Sequence, residues 1–156
     1  MNKDKLKGLV GTYKFQIKDV NGNVRDTFEF TNLVTTAGFA QLALLAGDAS
    51  AVPFTYLAVG TSATAVNIAD TALGAEITTN GLARVAGTVS RVTTTGTNDT
   101  YKITTTWTAT GSVSVEEVGV FNAGSGGTML SHALVDETKS VTNGETLTGE
   151  YLLEMA

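Results

Sequence analysis

Tyr13-Lys14-Phe15-Gln16-Ile17-Lys18 is followed, two residues later, by Asn21-Gly22 and then by Val24-Arg25-Asp26-Thr27-Phe28-Glu29-Phe30. In the first run apolar Tyr13, Phe15 and Ile17 alternate with polar Lys14, Gln16 and Lys18. A period of two places one class of side chain on each face of a strand. Asn-Gly accepts positive φ at both positions and is the strongest short signal for a tight turn between strands. Val24, Thr27, Phe28 and Phe30 continue as the return strand. Residues 10–30 are therefore expected to form a β-hairpin with one buried face.

Working outward, residues 36–46 form the one good helix candidate. Thr35 or Thr36 is placed to cap its N-terminus. Phe39, Leu42, Ala43 and Ala46 recur at helical spacing, and Leu44 and Leu45 widen the apolar face. Gly47 stands where a left-handed C-terminal cap is expected. The helix is short and nearly uncharged, so burial on a sheet or between subunits is expected. After Pro53, the run Phe54–Val59 reads as an apolar strand ending at Gly60. Residues 61–82 read as a long connection anchored by Leu73 and Ile77; a loop of that length is a functional or intersubunit element. Strand signals follow at Ala83–Thr93, at Tyr101–Ala109 (Tyr101, Ile103, Thr105, Trp107 and Ala109 on one face), at Val113–Asn122, at Met129–Val135 and at Leu147–Met155. Gly96, Asn98 and Asp99, then Gly124-Ser125-Gly126-Gly127, then Asn143-Gly144 supply the turns. This spacing predicts a mainly β chain: an antiparallel β-sandwich or open barrel, with an N-terminal hairpin and one short α-helix. A single β-rich domain over 1–156 is expected, with residues 1–9 as a basic arm.

Composition agrees. The 156 residues are 42% hydrophobic and only 16% charged, where about 25% charged is usual. Threonine, glycine, serine and asparagine supply the remaining polarity, and threonine suits strands. There is no cysteine, which excludes disulfides and thiolate metal sites. The net charge of −5 is unevenly spread: residues 1–25 hold six basic and two acidic groups, the rest four basic and thirteen acidic. A basic segment ahead of an acidic body points to docking on a partner's acidic surface, and Lys3, Lys5, Lys7, Lys14 and Lys18 are the candidate partner-binding residues. An acidic body argues against nucleic acid as a partner. Met1–Lys7 is basic but no apolar stretch follows it, and no run approaches the ~18 apolar residues of a membrane span. Synthesis in a host cytoplasm, with no membrane partner, is the expectation.

No constellation carries a reaction. His132 lies in an apolar strand signal and no Gly-x-Ser-x-Gly elbow accompanies it, so a structural or surface imidazole is expected. Gly124–Gly127 lacks the lysine of a phosphate loop and joins two strands. Glu116 and Glu117 are adjacent, and a strand would send them to opposite faces, which argues against a paired acid and base. Either could cap backbone amides near a strand end or pair with Arg84 or Arg91 across subunits, and the structural ion pair is the favoured role. Asp136 and Glu137 read as a solvated loop, with no calcium-loop spacing. Trp107, Tyr56, Tyr101 and Tyr151 read as core or subunit interface ahead of a sugar-binding face. No enzyme activity, cofactor or metal is expected.

Several segments together carry a resemblance. Asn32-Leu33-Val34-Thr35-Thr36-Ala37-Gly38 precedes the helix, and Phe54-Thr55-Tyr56-Leu57-Ala58-Val59-Gly60-Thr61 follows it. Asp70–Ile77, Ala83-Arg84, Glu117–Ala123 and Gly126–Leu130 come next in order. From about Asn32 to Met155 this order resembles the small β-rich virion structural proteins of tailed bacteriophages, described as capsid decoration (cement), head-fibre or tail-fibre-associated proteins. The resemblance implies a non-enzymatic, multimeric protein, commonly a trimer. Two roles follow. A decoration protein on the capsid exterior would clamp neighbouring major capsid protein subunits, gaining avidity from several contacts. It is ranked first, because no shaft or second domain is visible. A tail-fibre or baseplate-associated adhesin would present threonine-rich loops to a host surface. It ranks second, and a virion glycan hydrolase a distant third.

Overall fold

The computed structural model describes residues 9–155. Two five-stranded antiparallel sheets face each other as a β-sandwich. Sheet A has the order β2 (Val24–Thr31), β1 (Val10–Lys18), β10 (Thr146–Glu154), β7 (Thr100–Thr108), β6 (Thr88–Val92). Sheet B has the order β3 (Leu33–Val34), β9 (Met129–Val141), β8 (Val113–Phe121), β4 (Tyr56–Gly60), β5 (Val85–Ala86). The sandwich, not an open barrel, is thus the outcome of the two architectures expected.

The hairpin forms as its pattern requires. Phe28 sits opposite Phe15 and Phe30 opposite Tyr13. Gly22 takes φ +84°, which a residue with a Cβ adopts at a cost. On the other side β10 runs antiparallel to β1 from Val10↔Glu154 to Lys18↔Thr146. Gly149 faces Phe15 there, and an added Cβ would stand 2.6 Å from the Phe15 ring, so the missing side chain makes room for the aromatic one.

Period-two alternation on both sheets delivers one core. Tyr13, Ile17, Ile103, Leu147 and Tyr151 from sheet A meet Leu57, Val59, Val118, Val120 and Leu130 from sheet B, all with no exposed surface. Each such side chain contributes about 1.5–3 kcal/mol on burial. The aromatic ring pairs Tyr13–Tyr151 (4.7 Å between centroids) and Phe15–Phe28 (5.4 Å, stacked) extend the core to the β2 edge. The Tyr13 hydroxyl lies 2.5 Å from Ser131 Oγ, a buried hydrogen bond from one sheet to the other.

Four details depart from the sequence expectation. Ala83–Thr93 is not one strand: β5 joins sheet B and β6 joins sheet A, and the chain changes layer at Gly87, whose N–H donates to the Thr55 carbonyl at 2.8 Å. Asp136 and Glu137 are not in a loop; they lie within β9, where Glu116 alone faces the four residues Val135–Thr138 in a wide bulge. Gly47 is the last residue of helix α1 (Thr36–Gly47) and not a left-handed cap; Asp48 closes the helix in an extended conformation, its N–H donating to Leu44 O. The helix is also not buried on a sheet. Only Gly38 is buried, Leu42 and Leu45 are half-buried, and Phe39 and Leu44 are 46% and 47% exposed. At its N-terminus the expected cap holds: Thr35 Oγ1 accepts from Gly38 N at 2.9 Å and donates to Met129 O at 2.6 Å.

Candidate functional site

The outer face of sheet B is where the polar residues of this chain converge. On β8 the core takes Val118 and Val120, so Glu117, Gly119 and Phe121 face outward; on β9 the partners of Gly119 and Phe121 are His132 and Met129. A continuous β layer would leave that face in water. Instead the connection 61–82 lies across it as a strap. It leaves β4 at Gly60 and returns beside it, with Thr61 N donating to Ala75 O and Ile77 N to Val59 O, both at 2.9 Å.

Beyond these bonds and one from Thr36 N to Ile68 O at 2.8 Å, three side-chain attachments hold the strap. The first is apolar: Leu73, only 7% exposed, enters a cluster of Ala58, Phe121 and Met129 bordered by Tyr56. Ile77, the other anchor expected from sequence, is buried in the main core. The second is a buried polar pin. Glu117 Oε1 accepts from Ala75 N at 2.7 Å and Oε2 from Gly74 N at 2.9 Å. His132 Nε2 lies 2.8 Å from Glu117 Oε2, and Nδ1 lies 2.7 Å from Asp70 Oδ2 on the strap. Asp70 in turn accepts from Asn67 N at 2.7 Å. The Glu117 side chain is 1% exposed, His132 5% and Asp70 27%, so the pin is dry at its centre and open at its strap end. Gly60 admits the Glu117 carboxylate, because a Cβ there would collide with Oε1.

The third attachment is Arg84. Its guanidinium pairs with both Glu76 oxygens (2.9 and 2.5 Å) and donates to the carbonyls of Ala123 (3.0 Å) and Gly126 (2.8 Å). It also lies 3.6 Å over the Phe121 ring. One planar fork thus ties the strap to the β8–β9 turn.

The electrostatics of the pin follow from its geometry. Burial opposes charge on His132, but hydrogen bonds and attraction from Glu117 and Asp70 outweigh it and raise its pKa above the ordinary histidine value. Burial likewise works against Glu117 and Asp70, yet His132 and the donating backbone amides hold both carboxyl groups below their ordinary values. Glu117 meets two backbone amides and the imidazole at close range, so its acceptor capacity is used within the protein. The cluster is built to hold a loop and leaves this carboxylate little capacity for a substrate.

The expectation that an adjacent glutamate would cap amides near a strand end is met by Glu117. Its charged partner is His132, however, while Arg84 takes Glu76. No sequence pattern pairs residues 62 positions apart, as His132 and Asp70 are. The available signal was a carboxylate pair, Glu116-Glu117, set between Val115 and Val118 in an otherwise apolar strand pattern. The aromatic candidates fall to packing: Trp107 and Tyr151 are buried, Trp107 Nε1 donates to Ala83 O at 2.8 Å, and the half-buried Tyr101 hydroxyl donates to Phe54 O at 2.5 Å. Among the described residues, no group of three or more histidine or acidic side chains is disposed to hold a metal ion, and no helix is long and apolar enough to cross a membrane.

Of the candidate partner-binding lysines, Lys3, Lys5 and Lys7 lie outside the described residues. Lys14 is on the outer face of sheet A, 3.6 Å from Glu29, and Lys18 ends β1. Neither approaches the strap attachments. At the end of the sandwich, a groove of about 740 Å³ opens between α1 and the β6 edge, lined by Leu42, Leu45, Phe54, Val89, Tyr101 and Leu153 among others.

No curated protein matches the chain. The family model described as podophage GP4 fiber I protein gp80 matches residues 39–150, from Phe39 in α1 to Glu150 in β10. That span holds the strap, its three attachments, most of sheet B and, from sheet A, β6, β7 and the first part of β10. It is well over half of the chain, so the chain belongs to this family of phage fibre proteins and is a structural protein of the virion.

Proposed function

We propose that the chain is a building block of a virion fibre, and that it assembles there with further copies of itself. The family match carries the reading, because the description attached to it is that of a fibre protein. It reverses the order in which the sequence alone ranked the two roles. Capsid decoration came first there on compact length, and compact length does not discriminate: a short sandwich serves equally as one unit of a fibre built from several chains.

Self-association has its own support. The twelve residues of α1 include no charged side chain, and Phe39 and Leu44 stand about half exposed at one end of the sandwich. Isolated apolar residues on a surface are ordinary, but an uncharged helix bordering an apolar groove is what a subunit interface requires. A trimer is the proposed state, and the basic N-terminal segment is the proposed contact to an acidic partner surface. The position proposed is the exterior of the particle.

The test is the copy number of this chain in purified virions relative to the major capsid protein, measured by quantitative mass spectrometry and paired with immunogold labelling. A few copies per particle, labelled on fibres, is the expected result. A ratio near parity, or a simple fraction of it set by shell symmetry, with label spread over the head, would return the role to capsid decoration.

A further inference from the structure

We propose that the 61–82 strap is a pH-dependent latch, held over the outer face of sheet B by a doubly protonated His132 and loosened when that imidazole loses a proton. The inference goes beyond the fibre role and does not depend on it.

Proton counting carries the argument. A neutral imidazole has one N–H donor and one lone pair; only the imidazolium donates from both nitrogens. Here both nitrogens sit 2.7–2.8 Å from carboxylate oxygens. Those oxygens already accept from backbone amides: Gly74 N on the Glu117 side, Asn67 N on the Asp70 side. Both carboxyl groups are thereby held as anions, and an imidazole between two anions needs both protons. Remove one, and one carboxylate faces a ring lone pair at hydrogen-bond distance. Glu117 is fully buried on β8, whereas Asp70 is partly exposed on the strap. The Asp70 side is therefore the one that yields.

The other groups around His132 do not supply a substitute charge. From β8 the facing charge is Glu117. From the strap it is Asp70, with Glu76 farther along and already paired with Arg84. The β3 residue opposite His132 is Leu33, α1 brings no charged residue, and the β9 neighbours are Ser131 and Ala133. The sign follows. With the His132 pKa raised, its contribution is fully present below the ordinary histidine value and is lost as pH rises through the raised one. With the two carboxyl groups lowered, theirs is lost as pH falls through the lowered values. The strap is firmest between these limits. Leu73 and the Arg84 clamp are unaffected by this titration, so the opening is local and the sandwich stays folded.

The chain contains a single histidine, so one imidazole signal in the NMR spectrum of the full chain reports the latch without assignment. The experiment follows that signal with pH, together with hydrogen exchange at the Asn67, Gly74 and Ala75 amides corrected for the intrinsic rate. The expected result is a midpoint above the ordinary histidine value of about 6.5 and a fall in amide protection over the same range. Opening the strap removes Asp70 but leaves Glu117 beside His132 on the folded sheet, so protection falls about tenfold for each pH unit by which the closed-strap midpoint exceeds the open-strap one, the difference that Asp70→Asn approximates. Asp70→Asn, at the exposed end of the pin, should lower the midpoint while keeping the fold. A midpoint at or below the ordinary value overturns the proposal. So does protection that stays constant through the titration, or an Asp70→Asn midpoint equal to the parent's.

Discussion

Gly38→Ala and Gly47→Ala make the same change in the same helix, and the structure expects them to move stability in opposite directions. Intrinsic propensity favours alanine over glycine inside a helix by about 0.8–1.0 kcal/mol. At Gly47 an added Cβ meets nothing within 4 Å, and φ is not positive, so the helix-terminal gain of about 0.5 kcal/mol is kept. At Gly38 the Cβ would strike the Leu130 carbonyl oxygen and stand 2.8 Å from Leu130 Cα. Those atoms are backbone; Leu130 is the extra residue of a bulge, but it is held between Met129 and Ser131, which pair with β8, and its carbonyl accepts from Thr35 N at 2.9 Å. They cannot turn aside as a side chain would. The helix must lift instead, pulling on the Thr35 cap and on the half-buried Leu42 and Leu45. Overpacking of this kind costs about 1–3 kcal/mol, and immobile neighbours place it at the upper end. Against a propensity gain of about 1 kcal/mol, the net loss is roughly 2 kcal/mol. For a chain of this size that lowers Tm by about 4–8 °C. Urea and thermal unfolding of the three proteins, at one protein concentration, provide the assay. A Gly38→Ala protein as stable as the parent would refute the packing of α1 against β9.

Arg84→Met should destabilise by about 3 kcal/mol, because it leaves Glu76 and two carbonyls facing a thioether, and Arg84→Lys should recover little, since an ammonium cannot replace the fork. A loss under about 1 kcal/mol in chemical denaturation would remove Arg84 from the strap's attachments. Tyr13→Phe and Ser131→Ala should each cost about 1 kcal/mol, and the double variant clearly less than their sum, since each strands the same buried bond. Additive losses would mean that the two hydroxyls do not meet. Leu44→Glu places a charge on the exposed side of α1; light scattering should show a smaller assembly with unchanged circular dichroism. An unchanged mass would take α1 out of the subunit interface.

Elements whose evidence lies within a few residues were legible from the sequence. The hairpin announces itself through alternation and Asn-Gly, the helix through Thr35, and the strap through Leu73 and Ile77 in a stretch without helix or strand periodicity. What failed needed information from another layer. Period-two patterning around Gly87 reads as strand on either side and does not record that β5 and β6 belong to different sheets. Asp136 and Glu137 look like loop residues because acidic pairs favour solvent, and a wide bulge provides solvent inside a strand. The apolar face of α1 was read as a burial signal, but the fold leaves much of it exposed, and covering it falls to another surface. The pin was invisible as a unit: Asp70, Glu117 and His132 are each ordinary alone, and only the fold brings them within 3 Å of a shared imidazole.

The position of β10 has a consequence for how the chain reaches this fold. β10 runs between β1 and β7, and each pairs with it along nine residues. Until Thr146–Glu154 has left the ribosome, sheet A can exist only as the β1–β2 hairpin and the separate β6–β7 pair, each with an open edge. The aromatic cluster around Tyr13 meanwhile lacks Tyr151. Contacts this distant in sequence close slowly, on the millisecond-to-second scale typical of sandwich folds. A chain lacking Thr146–Glu154 would leave β1 and β7 as open edges and the core without Leu147, Tyr151 and Leu153, the state from which partly folded sandwiches aggregate.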